Sequence, residues 1–557
     1  MKKLIHNNWM TILALSCLFL IFFCNYRYAY TICVLNDEFG YWGNAATMAG
    51  KDWSSLLAQT PYYSMGYSLF LVPLFKLGVH PVTMYKIAVL LNMGFLSASL
   101  LCADYITGRL FLENKRMLNQ LIGIIGVMSG PALFYSQIGW CETCLMMLFL
   151  FLVVLFVKLG ERFSYLVSFE IVVCSLMLYI VHQRTIAIMA LAIVLLLFEC
   201  IKNKKYVFLI LVIVAVGLCV FGYRSLHSYQ VSHVYSASAY SSTNNIELSS
   251  SFISGFMSRL FDYSEEIIVS FICKLGVVLI STCFTLFVSC KSYLLDLRNK
   301  TFGFISVKTF MLLSLLIMLS LSSIQMFGEA RKDLVVYSRY LDFTIPGMTI
   351  YGLGVLLQQR GKHKKLYLLS IVLIIPVIIL SAWRIDRAQG EFNTFCSPVW
   401  GAAYQLFGNQ EILKAGIAIM IACFILFLLY WILPKTKMNS WMMFFLYSLC
   451  VLNLIVFGLG NERTKWYRDR IYNSVSSAFE IVSTDPDTSI YSIIEPNDDV
   501  RVKELQFLLY DRPITVVKSV SEIPEKHYYL VTNHNTEVNR SLVYCGGSGL
   551  MDLYYKE

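Results

Sequence analysis

Charge is what this sequence lacks. Asp, Glu, Lys and Arg supply 14% of its 557 residues, while 57% are hydrophobic; a soluble domain carries about 25% charged residues. That shortage excludes an ordinary soluble fold, as does a mean hydropathy of +0.63. The formal net charge of +10 does not signal nucleic acid, because the lysines and arginines fall mainly in short loops between apolar runs, where they set membrane topology. No internal repeat or low-complexity tract occurs. No small-x-small cleavage site follows the first apolar run, which therefore reads as an uncleaved signal anchor. His80, His227 and His233 are spread over two loops and make no convincing metal site. The sixteen cysteines lie mostly inside apolar runs, where they pack as small hydrophobes. Cys141 and Cys144 form a CxxC without a second pair at zinc spacing, so neither a disulfide framework nor a zinc site is expected.

What the sequence does contain is a series of apolar runs, each long enough to cross a hydrocarbon core of ~30 Å. About thirteen spans are expected, from Met10–Tyr26 to Asn439–Gly458. The fourth is Glu142–Leu159, the seventh Tyr206–Gly222, the eighth Ile267–Cys290 and the tenth Phe343–Leu357. If the spans alternate, Lys2/Lys3, Arg109/Lys115/Arg116, Lys202/Lys204/Lys205, Lys435/Lys437 and the other basic loops share one side. The positive-inside rule makes that side cytoplasmic, with the N-terminus inside and the tail outside. Tyr67–Leu77 is apolar but, at about 16 Å of helix, too short to cross. It is placed as a re-entrant or surface helix on the outer leaflet, in a long first outer loop, residues 28–81. Tyr223–Glu266, Gly328–Asp342 and Trp383–Glu411 are the other large outer segments. Residues 1–460 thus form a membrane domain. From Asn461 the composition turns polar: a helix at Tyr467–Val482, a second at Val500–Leu509 and four short strands suggest a small α/β domain over 461–557.

In so apolar a chain, the few ionisable groups at the outer ends of spans carry the information. Asn36-Asp37-Glu38 follows the first span. Asn36 can cap a helix running to about Gly50, and carboxylates are favoured in a first helical turn. That ordinary explanation competes with a chemical one, since a carboxylate at a membrane boundary among Phe39, Tyr41 and Trp42 can take a proton from an acceptor hydroxyl. Glu142 opens the fourth span. His182-Gln183-Arg184 interrupts the fifth and sixth, and Tyr337-Ser338-Arg339-Tyr340 precedes the tenth. These can be turn residues or aromatic-belt anchors, or arginines aimed at a phosphate, which their planar fork pairs bidentately. Arg331 and Lys332 read as solvated loop charges.

The stretch from Asn36-Asp37-Glu38 through Gly50-Lys51-Asp52-Trp53, then Pro61-Tyr62-Tyr63-Ser64-Met65-Gly66-Tyr67 and a short apolar helix, resembles the GT-C glycosyltransferases. Within that superfamily it is similar to the protein O-mannosyltransferases and the lipid A aminoarabinose transferases. The resemblance implies an α-helical polytopic membrane protein of GT-C fold, with about 13 transmembrane helices, outer juxtamembrane helices and a small extracytoplasmic C-terminal domain. It implies Asp37 as general base or acceptor-positioning carboxylate, Glu38 as the residue that orders the loop or binds sugar, and Glu142 as the second acidic position. Arg184 and Arg339 would hold the phosphate of a polyprenyl-phosphate sugar. Tyr41, Tyr62, Tyr63, His182, Tyr337 and Tyr340 are expected to line the substrate cavity. The implied reaction is sugar transfer with inversion to an extracytoplasmic acceptor at a bacterial plasma membrane. No cofactor is implied, although a divalent metal stays open. Sugar and acceptor stay open too, and Ser64 and Met65 stand where some relatives place a phosphate-holding lysine. Two alternatives are weighed. A flippase or other transporter should place ionisable residues near the bilayer midplane. A Wzy-like polymerase would centre on arginine-bearing loops later in the chain.

Overall fold

Inside a bilayer no water meets the backbone, so apolar segments fold as helices that bond their own N–H and C=O groups. The computed structural model describes residues 2–111, 116–235, 250–299, 304–358, 363–407, 411–432, 438–493, 500–533, 541–548 and 551–556. Its first helices are α1 (Lys2–Asn25), α2 (Leu35–Met48), α3 (Ser54–Leu57), α4 (Ser68–Lys76), α5 (Pro81–Leu110), α6 (Arg116–Val127) and α7 (Gly130–Tyr135). There follow α8 (Glu142–Glu161), α9 (Tyr165–Val181), α10 (Ile186–Lys202), α11 (Tyr206–Val234), α12 (Ser250–Asp262), α13 (Ser264–Ser281) and α14 (Leu286–Arg298). The last are α15 (Ile305–Gln325), α16 (Ile345–Gln358), α17 (Lys364–Arg387), α18 (Pro398–Phe407), α19 (Ile412–Ile432), α20 (Met438–Ser483) and α21 (Val500–Leu508). Among the described residues, eight helices are long and apolar enough to cross a membrane, or up to ten if two bent pairs each count as one. The protein is therefore a polytopic membrane protein. α8 lies at its centre, packed on α5, α9 and α15, with Leu145, Phe149, Leu152 and Phe156 buried.

Three expectations need correction. The seventh span does not end at Gly222, because α11 continues to Val234 and carries His227 against Tyr62, ring centroids 4.4 Å apart. The eighth span is not straight: α13 and α14 meet at 89°. Cys283 and Phe284 between them adopt left-handed φ angles of 52° and 61°, which a right-handed helix cannot continue. The boundary at Asn461 is no break in the chain's path. The last span and the first helix of the polar domain are one helix, α20, of 46 residues. At 1.5 Å per residue it runs about 69 Å, more than twice a hydrocarbon core, so its C-terminal part must project beyond the membrane.

That projection carries a five-stranded sheet: β1 (Ser489–Ile493), β2 (Ile514–Val517), β3 (Tyr528–Asn533), β4 (Val543–Ser548) and β5 (Met551–Lys556), in the order β2-β1-β3-β5-β4. β1 pairs parallel with β2 and β3, and α21 supplies the crossover that the parallel β1–β2 step requires. β5, absent from the sequence reading, pairs antiparallel with β3 and β4. α4, Ser68–Lys76, is the short apolar helix that was expected. Gly66 before it packs directly on the end of α9: its N–H donates to Ile180 O at 3.0 Å, and a Cβ there would lie 2.6 Å from the Ile180 backbone.

Candidate active site

The segments carrying Asp37, Glu142, Arg184 and Arg339 meet at the end of the bundle that bears the sheet domain. α2 begins two residues earlier than expected, with Val34 and not Asn36 at its N-cap, and no side chain of the cap residue closes the turn. Glu38 does that from within. Its Oε2 accepts from Cys33 N at 2.6 Å and Val34 N at 2.7 Å, and its Oε1 from the Tyr85 hydroxyl at 2.6 Å and Gly139 N at 2.7 Å. Glu38 is fully buried and reaches neither cavity described below. Of its two anticipated roles, its position suits ordering of the loop. With Glu38 turned inward, Asp37 on the next position faces the site, its side chain 25% exposed.

Arg339 sits in the turn before α16. Its own N–H and that of Ser338 donate to Cys396 O at 3.1 and 3.0 Å, and its guanidinium lies 4.0 Å from the centre of the Trp140 ring. One side of the fork pairs with Asp37; on the other, Nε bonds Glu142 Oε1 at 2.5 Å. Arg184 follows α9 and is 2% exposed. Its Nη2 pairs with Glu142 Oε2, and its guanidinium packs on the Tyr340 ring at 4.6 Å. Glu142 is thus the buried keystone between two arginines. Among the described residues nothing accepts from Arg184 Nε or Nη1, although both are buried. Each such unmet donor costs about 1–3 kcal/mol, more on a charged group.

Asp37 and Arg339 favour each other's charged form. Burial pushes the Asp37 carboxyl up, but the Arg339 guanidinium and a hydrogen bond from the Tyr63 hydroxyl outweigh it and hold it below its usual value. Burial works against charge on Arg339, and its carboxylate partners overcome it. His182 is held well below its ordinary value by burial, with Arg184 and Arg339 adding to the effect. It is a neutral imidazole whose Nδ1 accepts from Arg184 N at 3.3 Å. Gly40 leaves room for Tyr63, whose ring lies where a Cβ would stand.

Two cavities meet at Asp37. The first, about 410 Å³, is lined by Asp37, Tyr62, Tyr63, His182, Arg184, Tyr337, Arg339 and Tyr340, among others. The second, about 370 Å³, is lined by residues including Cys33, Glu391, Phe395, Arg463 and Tyr467; Asn36, Asp37, Arg331 and Asn393 belong to both. Tyr41, expected in the lining, is a correction. It stands behind the wall, fully buried, with its hydroxyl 2.9 Å from Cys141 Sγ and its ring against Tyr63 and Tyr67. Arg331 is also not a free loop charge. Its fork grips the buried Asp333 at 2.7 and 2.8 Å while it lines both cavities. Sequence reasoning gave no role to Ser64, whose Oγ accepts from Gln183 N at 3.0 Å, and missed Asn393, an uncharged residue in an outer segment whose charges drew attention instead. It also missed Asp342, whose Oδ2 accepts from Tyr135 at 2.6 Å and Ser338 at 3.1 Å just behind Arg339. Among the described residues no three His, Cys, Asp or Glu side chains gather as metal ligands would.

No family model matches the sequence, and no curated protein does. Solved structures do match. ArnT from Cupriavidus metallidurans in the apo state aligns with a TM-score of 0.57 at 12% identity, covering 98% of this chain and 97% of that one. The same protein bound to undecaprenyl phosphate aligns with a TM-score of 0.58 at 12% identity, covering 98% of both chains. The chain therefore shares the fold of ArnT across 98% of its length.

Proposed function

We propose that the chain is a GT-C glycosyltransferase that moves a sugar from a polyprenyl-phosphate donor to an extracytoplasmic acceptor. One observation carries the reading: a buried arginine with two unfilled donors, Arg184, lines the same cavity as a partly exposed carboxylate, Asp37. In water-poor surroundings, fixed donors aimed at developing negative charge are a strong source of transition-state stabilisation. The donor phosphate takes Arg184 Nε and Nη1 in the first cavity, and the acceptor hydroxyl reaches Asp37 from the second. The acceptor oxygen bonds to the anomeric carbon as the carbon–oxygen bond to phosphate breaks. The hydroxyl proton passes to Asp37, and the polyprenyl phosphate leaves onto Arg184 and Arg339. Nucleophile and leaving group then lie on opposite sides of the sugar, which supports inversion.

Asp37 begins ionised and only weakly basic, because Arg339 and Tyr63 hold it down. A bound phosphate competes for Arg339. That draws the guanidinium from Asp37 and makes the carboxylate a better base when the donor arrives. The reading assigns charge neutralisation to the arginines, with no metal. A polyprenyl donor is supported by the fold likeness to a protein seen with undecaprenyl phosphate. The basic loops support a plasma-membrane protein with its N-terminus inside and its site facing outward. A transporter is disfavoured because the buried charged groups Glu38, Glu142, Arg184, Asp333 and Arg339 collect at this end, while Glu199 near the other end of α10 is bonded to Ser306 Oγ at 2.6 Å. Lys274, fully buried on α13, is an exception, but its Nζ is tied to the Ser322 carbonyl at 2.7 Å and to the Met326 carbonyl.

Arg184→Lys tests the reading. Lysine keeps the charge beside Glu142 but loses the planar fork. Undecaprenyl phosphate should bind the purified variant roughly tenfold or more weakly than wild type, since a charge-assisted bond is worth about 1.5–3 kcal/mol. Unchanged affinity would remove Arg184 from the phosphate site.

A further inference from the structure

We infer that the C-terminal domain holds the Asn36–Glu38 turn in its working position, with Lys503 and Arg468 as positioning residues; the inference rests on Asp37 acting as proposed above. Lys503 on α21 is fully buried. Its Nζ donates to Asn36 Oδ1 at 2.6 Å, and Asn36 lines both cavities beside Asp37. Phe507, one turn on, meets Trp42 of α2 edge to face at 5.0 Å. Glu504 accepts from the Thr31 hydroxyl at the start of the same loop.

Arg468, on the part of α20 near the sheet domain, works from below. It too is buried, and its bonds go to oxygens of three separate segments. Nε and Nη1 reach Thr31 O at 3.1 Å and Tyr28 O at 3.2 Å, while Nη2 reaches Gln137 O at 2.6 Å and the Tyr85 hydroxyl at 2.7 Å. Tyr85 passes the connection to Glu38, and Gln137 lies five residues before Glu142. One guanidinium therefore ties the entry to the first loop, the helix under Glu38 and the approach to Glu142 to a single helix. Burying a lysine and an arginine is costly unless every donor is met. A domain that merely covered the bundle would need neither. Lys503 bonds the turn that carries Asp37 and Arg468 the segments that lead into it; at that turn a displacement of about 1 Å can lower turnover about a hundredfold.

The test uses the full chain in cells lacking it, comparing wild type, Lys503→Met, Lys503→Arg, Arg468→Lys and Asp37→Asn. Three quantities are read: the rate at which the missing envelope glycan returns after induction, the unfolding midpoint, and the affinity for undecaprenyl phosphate. Lys503→Met keeps most of the buried chain and loses the bond to Asn36. It should slow glycan return about ten- to a hundredfold with midpoint and undecaprenyl phosphate affinity unchanged. Lys503→Arg should recover much of the rate, and Arg468→Lys should fall between. The positioning role is overturned if Lys503→Met works at the wild-type rate while Asp37→Asn does not. It is overturned equally if activity, midpoint and affinity fall together, which would mark a structural residue. If Asp37→Asn is itself as active as wild type, the proposed function fails.

Discussion

Asp37 and Asp342 answer pH in opposite ways. Asp37 is depressed by Arg339 and Tyr63 against the effect of burial. Asp342 is pushed up to about 7 by burial, with Glu142 adding to it and the Tyr135 and Ser338 hydrogen bonds opposing it. A carboxyl whose folded value is raised binds its proton more tightly in the folded state. Its stabilising contribution is whole below the ordinary carboxylate range and is lost as pH rises through about 7. The unfolding midpoint of wild type should therefore drop from about pH 4 to pH 8, and that drop should be smaller in Asp342→Asn. Equal slopes in the two proteins would mean that Asp342 is ionised throughout. Asp37, Glu142, Arg184 and Arg339 were legible in the sequence because charge is scarce and each lies at a span end. Lys503 was not, because its partner Asn36 is 467 positions away and nothing local marks a lysine as buried. Arg331 was misread for a different reason: its grip on Asp333, two residues on, is a fact of loop conformation.

The helices were legible as apolar runs, but their ends and joints were not. The turn at Cys283-Phe284 contains neither glycine nor proline, so no residue announces the 89° bend. In α20 the change from apolar to polar composition looked like a boundary, yet a helix can pass through a change of solvent without interruption. Two glycines near that change make a matched test. A Cβ at Gly458 would meet open space, whereas at Gly460 it would come within 2.8 Å of the Phe134 ring. Gly458→Ala should stabilise the chain by about 0.5–1 kcal/mol through helix propensity alone. Gly460→Ala should gain nothing or lose stability, since Phe134 must shift. Thermal unfolding of the two variants in one detergent checks both. Stabilisation of equal size at both sites would show that α20 does not pack on α7 as described.

At the scale of the molecule, the sheet domain and the bundle are joined three ways: through α20, through Lys503 and Arg468, and at the first loop. There Trp53 Nε1 donates to Tyr510 O at 3.0 Å and Val516 N to Ser55 Oγ at 2.7 Å. The sequence foretold the domain but not its work, since its strands and helices carry no catalytic motif and its key contacts are all with the other end of the chain. The likeness to ArnT at 12% identity shows how little of such a fold depends on particular residues. The apolar spans need only be apolar, while the proposed chemistry rests on the few polar positions at one end.

The central claim is that Asp37 and the two arginines transfer a sugar. It is tested most directly by mass spectrometry of envelope glycans and glycolipids from cells lacking the chain, complemented with wild type or with Asp37→Asn. The account predicts a missing sugar that wild type restores and Asp37→Asn does not. An unchanged glycan profile in the cells lacking the chain, or full restoration by Asp37→Asn, would contradict it.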